Sequence, residues 1–349
     1  MRNKVRKLWE LCFNDSKAFV DMYFRLRYSN NVNIAIESGE EVIAALQMLP
    51  YPMTFCNTTI STSYVSGACT HPDFRNRGVM RELLTQTFGK MYRNEVQFST
   101  LIPAEPWLFD YYTKMGYKTV FNYELQTIKT PVTAHIPEGE DLYELESSTA
   151  YKEDVYQYLN RKLQERACCI QHTATDFNVI LEDLKLGKGN IYFLRQKTQS
   201  NGNGNTIAIA VAYPHENDST ILHIGELIAE SEEIKTILLS YIARKERIKT
   251  FQLIIPSTTE KNALPLGMAR IIQAKAVLQI YAARYPKREL NIALTDEQIS
   301  SNNGYYYLNN GKCMFSSQRL PGVHKQFNIS ELTGFVLSDE HPYMSLMLN

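Results

Sequence analysis

Neither sign of charge is in excess in this sequence: 37 Lys and Arg stand against 37 Asp and Glu over 349 residues. That balance argues against a nucleic acid or an anionic membrane as partner, because both are met by a basic excess. No apolar run approaches the ~18 residues that a bilayer-spanning helix needs. The opening MRNKVRKLWELCF begins basic, but Glu10 and Asp15 interrupt it and no small-residue cleavage site follows, so it does not read as a signal peptide. The six cysteines (Cys12, Cys56, Cys69, Cys168, Cys169 and Cys313) are scattered and form no C-x-x-C pair. Free thiols of a reducing cytoplasm are expected from them, and no metal site. Glycine-rich phosphate loops are missing too. QSNGNGNT is followed by the strand-like TIAIAVAYP and reads as a hairpin turn, while GKGN at Gly187 joins a helix to a strand.

What is present is an alternation of helix and strand signals. Over the first ~130 residues a helix is expected from Asn14 to Tyr28, then a hairpin from Val32 to Ile36 and Val42 to Leu49. Thr59 to Cys69 reads as a strand, Gly78 to Asn94 as an amphipathic helix, and Phe98 to Ile102 as a short strand. Pro106 to Met115 fits a helix with proline in its first turn and Gly116 past its end, and Tyr117 to Ile128 a closing strand. KTPVTAHIPEGEDL then breaks the pattern. Beyond it, helices are expected at Tyr151 to Glu165, Ala174 to Leu186, Ala274 to Arg284 and Ser330 to Leu337. Strands flank QSNGNGNT and recur around Leu290 to Leu294, Tyr305 to Leu308 and Cys313 to Ser316. The order is that of an α/β layered protein with more than one core.

One junction carries chemical information. THPDFRNRGVMRELL, from Thr70 to Leu84, passes from a strand into a helix through Arg75, Asn76, Arg77 and Gly78. The first helical N–H groups, from Gly78 through Val79 and Met80 to Arg81, lie at the positive end of the helix dipole with two guanidinium groups beside them. A pyrophosphate fits such a place, and Gly78 has no side chain to block it. Gly67 and its small neighbours, late in the preceding strand, suggest a close approach of ligand to backbone there. The plainer alternative is a solvated basic turn that happens to start a helix.

Arg-x-x-Gly between a strand and an amphipathic helix resembles the acetyl-CoA motif of the GNAT family of N-acetyltransferases. The stretch LIPAEPWLFDYYTKMGYKTV resembles that family's following strand, helix and closing strand. Met80 departs from the pattern, since that position is usually Gly or Ala; its side chain must turn toward the core if its amide is to meet phosphate. Further on, PLGMARIIQAKAVLQIYAARYP and LNIALTDEQISSNNGYYYLNNGKCMF resemble the sterol-carrier-like C-terminal domain of the Eis (enhanced intracellular survival) branch. The resemblance implies three domains: a catalytic GNAT domain over 1–135, a second GNAT-like domain without a cofactor site over 136–262, and a sterol-carrier-like α/β domain over 263–349.

It also implies a chemistry. Acetyl-CoA is the expected cosubstrate, with the backbone of Ala68, Cys69 and Thr70 flanking pantetheine and the segment from Arg75 to Arg81 holding the pyrophosphate. Tyr112 falls at the family's general-acid position, five residues before Tyr117, with Tyr111 adjacent and easily confused with it. A phenol with pKa near 10 keeps its proton at neutral pH for a departing thiolate. An acetylated Cys69 is the lesser option, with His71 the only nearby activator. The Eis-like branch further implies the terminal carboxylate of Asn349 as base or orienting group; the apolar ending HPYMSLMLN suits a buried tail, whether packed for catalysis or for stability alone. The acceptor would be a primary amine of an aminoglycoside, polyamine or peptide lysine, and the family implies an oligomer. The rival is a non-catalytic carrier that holds an apolar ligand in its C-terminal domain.

Overall fold

The computed structural model describes residues 1–130, 142–197, 204–257 and 262–347. Most of KTPVTAHIPEGEDL and the tip of QSNGNGNT lie outside the described residues. The chain opens with α1 (Arg2–Cys12) and α2 (Lys17–Leu26), followed by β1 (Asn33–Ser38), β2 (Glu41–Phe55), β3 (Thr58–Thr70), α3 (Val79–Arg93), β4 (Phe98–Leu101), α4 (Pro106–Thr113) and β5 (Lys118–Lys129). Every helix and strand expected in this stretch is present. α1 was not anticipated: Val5, Leu8 and Trp9 are its buried stripe, and they pack with Val20, Tyr23 and Phe24 of α2 on the sheet face formed by Val42, Ala45 and Cys69. α2 starts at Ser16, whose hydroxyl accepts from the Phe19 amide.

The second stretch runs β6 (Tyr143–Ser148), α5 (Glu153–Gln164), β7 (Cys169–Ile170), α6 (Ala174–Leu186), β8 (Asn190–Gln196), β9 (Thr206–Pro214), β10 (Ile221–Ala229), α7 (Glu232–Glu246) and β11 (Thr250–Pro256). The third runs β12 (Leu264–Ile271), α8 (Ala274–Arg284), β13 (Leu290–Thr295), β14 (Gly304–Asn309), β15 (Lys312–Ser316), β16 (Lys325–Asn328) and α9 (Ile329–Leu337).

Strands from all three stretches share one 12-stranded sheet in the order β1-β2-β3-β4-β12-β5-β11-β10-β9-β8-β6, with β7 paired to β2. β12 follows the second stretch in the chain, yet it is wedged antiparallel between β4 and β5. The long β5 makes this continuity: Lys118 to Tyr123 pair with β12, and Tyr123 to Lys129 pair with β11. The remaining strands form a separate four-stranded sheet, β15-β14-β13-β16.

An ion pair pins the third stretch to the first. Arg270 of β12 and Asp296 are both fully buried, with Nη2 to Oδ1 at 2.6 Å. Arg270 also donates to the carbonyls of Met115 (2.9 Å) and Ile271 (2.7 Å), and its guanidinium lies 4.4 Å above the Phe88 ring. Asp296 in turn accepts from the amides of Gln298 and Ile299 and from Asn302. A buried charge is tolerated only when its hydrogen-bonding capacity is met in this way. Gly116 is required beneath it: its φ is +86°, and a Cβ there would come within 2.7 Å of Ile329 and 3.0 Å of Arg270.

Candidate active site

β3 and β4 run parallel, but their register ends early. Thr62, Ser63 and Tyr64 pair with Phe98, Ser99 and Thr100; from Val65 to Thr70 the β4-facing edge of β3 has no strand against it among the described residues. The opening coincides with a bulge. Gln47 pairs with Ser66 while Ala45 pairs with Cys69, so Gly67 and Ala68 stand opposite a single residue, and Gly67 takes φ +60°. An edge of unpaired backbone donors and acceptors inside a domain can bind an extended, amide-bearing chain as an added strand.

The same strand leads into the helix start. Arg75 Nε donates to the Thr70 carbonyl (3.2 Å), and Asn76 and Gly78 adopt left-handed φ of +60° and +79°. Gly78 is the N-cap of α3, with no side-chain cap, and a Cβ on it would meet nothing within 4 Å. The first-turn amides of Val79, Met80 and Arg81 precede the first intrahelical bond, Glu82 N–H to the Gly78 carbonyl (3.0 Å), and are thus available to a ligand. Arg75, Arg77 and Arg81 are exposed around them, with the Arg77 guanidinium 5.5 Å over the Phe74 ring. Met80 packs against the hydrophobic cluster beneath α3, so its side chain does not crowd this face.

Gly67 is small for a different reason from the one its position suggested. A Cβ there would lie 1.9 Å from Cζ3 of Trp9, so α1, and not a ligand, makes the close approach. Trp9 is held by its indole N–H, which donates to Asp15 (2.7 Å).

Tyr112, on α4, is 7% exposed and packs in a cluster that includes Val65 of β3 and Leu101 of β4, one from each side of the opening. Its ring lies edge-on to Tyr111 (5.4 Å) and Tyr117 (5.6 Å). Among the described residues its hydroxyl has no hydrogen-bond partner, whereas Tyr117 shares a 2.7 Å hydrogen bond with Ser99. Burial pushes the Tyr112 phenol up, with the neighbouring tyrosines adding to the effect. The phenol therefore stays protonated across the neutral range. Tyr111 is only half-buried; burial raises its phenol too, with the charge of Arg81 opposing.

Sequence reasoning did not find the polar cluster where β2 meets the second stretch. Arg27 donates to Asp176 (2.5 Å) and to the Tyr51 hydroxyl (2.5 Å); Tyr51 is edge-on to Tyr64 and to His172. His172 is kept neutral by burial, its Nε2 lies 3.0 Å from the Ser345 carbonyl, and its Nδ1 is buried without a partner among the described residues. These residues carry no shared motif, being spread along the chain from Arg27 to Ser345. The tail is also fixed at Glu226, a buried carboxylate at the bulge of β10 that accepts from Tyr343 (2.8 Å) and Ser345 (2.5 Å). Met344 and Met347 then pack on the core that contains Tyr51 and Tyr64. Asn349 lies outside the described residues.

The open edge of β3, the uncapped start of α3 beside it and the buried Tyr112 lie within one N-terminal unit. Residues 2–120 match the family model described as the acetyltransferase (GNAT) domain. No curated protein matches. Among solved structures, the chain is similar to a GCN5-related N-acetyltransferase from Anabaena variabilis ATCC 29413, with a TM-score of 0.74 at 17% identity over 98% of this chain and 96% of that one. It is also similar to a conserved protein of Enterococcus faecalis V583 described as a probable N-acyltransferase (0.74, 14%, 95% and 86%). Eis1 from Mycobacterium abscessus gives 0.71 at 12% identity over 96% and 87%. The solved structures show a shared α/β fold, and residues 2–120 are an acetyltransferase (GNAT) domain, which makes the protein an N-acetyltransferase and implies the use of acetyl-CoA. Enzymes of this class act on small-molecule or peptide acceptors. No helix among the described residues is long and apolar enough to cross a membrane.

Proposed function

We propose that the protein transfers acetyl from acetyl-CoA to a primary amine of an aminoglycoside, polyamine or peptide lysine by direct attack. The observation that carries this reading is the unpaired edge of β3 running straight into the uncapped start of α3. Ala68, Cys69 and Thr70 would flank the pantetheine; Arg75, Asn76, Arg77 and the amides of Gly78, Val79, Met80 and Arg81 would take the pyrophosphate. When bound, the cosubstrate supplies a thioester carbonyl. The amine nitrogen bonds to that carbon, and Tyr112 passes its proton to the departing sulfur. The carboxylate of Asn349 would accept the amine's proton or hold the cationic acceptor in place. The fixed course of residues 343–347, against the core that contains Tyr51 and Tyr64, supports a tail that reaches this cleft.

The domain reading is proposed alongside it: a catalytic unit over 1–135, a GNAT-like unit without a cofactor site over 136–262, and a sterol-carrier-like unit over 263–349, as in the Eis-like branch. β10 and β11 repeat the first unit's parallel pair, with a bulge next to Gly225. There the likeness stops. α7 is capped by Ser231, whose hydroxyl accepts from Ile234 N–H, and Glu232 and Glu233 occupy its first turn. The Ile234 amide is taken, and the two carboxylates repel a pyrophosphate. A cytoplasmic homo-oligomer completes the reading.

The test is release of free CoA thiol from acetyl-CoA across a panel of polyamines, aminoglycosides and lysine peptides. Turnover with at least one amine, lost in Gly78→Val, is expected. The variant forces a β-branched residue to φ +79° with open space around it, so the strain falls on the turn. Turnover that survives in Gly78→Val would remove the proposed cofactor seat.

A further inference from the structure

Two cysteines that the proposed mechanism leaves without a chemical role meet beside the cofactor seat. Cys12 is the last residue of α1, half-buried, and its thiol lies 3.4 Å from the Thr70 carbonyl. It packs on the cluster that contains Cys69, the residue before Thr70, so the two cysteines are neighbours across the contact of α1 with β3. Arg75 Nε donates to the same Thr70 carbonyl, which places its positive charge near the Cys12 thiol. Cys69 itself is 5% exposed. One cysteine is open to reagents, and the other can be reached through it.

We propose that Cys12 and Cys69 form a disulfide by exchange with low-molecular-weight disulfides, and that this closes the acetyl-CoA seat. The gating part rests on the function proposed above. In the first step the Cys12 thiolate attacks one sulfur of a disulfide RSSR, giving a Cys12–S–S–R mixed disulfide and RS⁻. The RS⁻ takes the proton of the Cys69 thiol, and the Cys69 sulfur displaces the second RS⁻ from Cys12, which is protonated from solvent. The sum is two protein thiols and RSSR going to a protein disulfide and two RSH.

The microenvironment suits that division of labour. Hydrogen bonding from Cys69, then Arg75, holds the Cys12 thiol down to about 6, against the opposing effect of burial. The same contact and burial push Cys69 up. The attacking thiol is thus the accessible thiolate, and the resolving thiol stays protonated until a leaving thiolate arrives.

Closure follows from where α1 touches β3. Trp9 presses on Gly67 and Cys12 on Cys69 and Thr70, so the two contacts bracket Gly67 to Thr70, the edge offered to pantetheine. An S–S bond of ~2 Å would tie the end of α1 directly to β3 beside that edge. It also removes the Cys12 thiol from the Thr70 carbonyl that positions Arg75.

The experiment treats the full chain with oxidised glutathione and reads intact mass, non-reducing peptide maps and acetyl-CoA affinity by calorimetry. Expected are a loss of two hydrogens with a Cys12–Cys69 crosslink, an at least tenfold weaker acetyl-CoA affinity, recovery with dithiothreitol, and a Cys12→Ser variant whose affinity ignores the oxidant. A persistent glutathione adduct on Cys12, a crosslink elsewhere, or a Cys12–Cys69 bridge that leaves affinity unchanged would each overturn the proposal. Reduced protein that takes up no acetyl-CoA would instead sink the underlying function and the gating with it, while mass alone would still report the bridge.

Discussion

Replacing Tyr112 with phenylalanine separates chemistry from packing unusually well in this fold. The ring is buried in the cluster that bridges β3 and β4 and sits edge-on to Tyr111 and Tyr117; phenylalanine keeps all of that. The hydroxyl has no partner among the described residues, so its removal leaves no orphaned group behind, and the stability change should stay within about 0.5 kcal/mol. A lost general acid costs roughly 10²–10⁴ in rate, or about 2.7–5.4 kcal/mol of barrier. Tyr117→Phe is the control with the opposite signature: it breaks a fully buried hydrogen bond to Ser99 and should cost about 1–3 kcal/mol of stability, with a much smaller effect on kcat. Tyr111→Phe should be mild in both. Steady-state CoA release and urea unfolding on the three variants decide the matter. Because burial raises the Tyr112 phenol above its ordinary value, kcat should show no alkaline loss from this group below pH ~10. A Tyr112→Phe enzyme as fast as the Tyr111→Phe enzyme, at equal stability, would refute the assignment.

Arg270→Met should cost about 3–5 kcal/mol by urea unfolding, since it strands the buried Asp296 carboxylate, and adding Asp296→Leu should recover part of the loss; a cost under about 1 kcal/mol would show that the pair does not hold β12. Gly67→Val should lose about 3 kcal/mol or more, because it combines φ +60° with a Cβ driven into Trp9, and unchanged unfolding would contradict the packing of α1. Alkylation of Cys12 by iodoacetamide should be half-maximal near pH 6: the depressed thiol is thiolate above that value and is protonated as pH falls through it. A half-maximum near pH 8.5 would deny the influence of Cys69 and Arg75. Several residues added after Asn349 should suppress turnover while acetyl-CoA still raises the melting temperature, with Asn349→Ala doing much less; full turnover by the extended chain would dismiss the carboxylate.

Local pattern carried a great deal here. The turn at Arg75 to Gly78, the helix of Tyr112 and the strand before them were legible because each is written in consecutive residues: a period of two, a period near 3.6, a glycine where φ turns positive. α1 has a local signature of the same kind, since Val5, Leu8 and Trp9 recur at helical spacing among its four basic residues.

Other features have no local signature. β12 enters the sheet between β4 and β5 after more than a hundred intervening residues, and only the backbone pairing decides that Leu264 to Ile271 completes the first core. The partner of Gly67 could not be read either, because glycine marks a close approach without saying what approaches. The Arg27–Asp176–Tyr51–His172 cluster and the packing of Cys12 beside Cys69 and Thr70 join residues from separate helices and strands. Sequence periodicity tells a side chain which face it occupies; which distant side chain shares that face is settled when the sheets and helices pack, and hydrogen bonds in the interior form only between groups that packing has brought within about 3 Å.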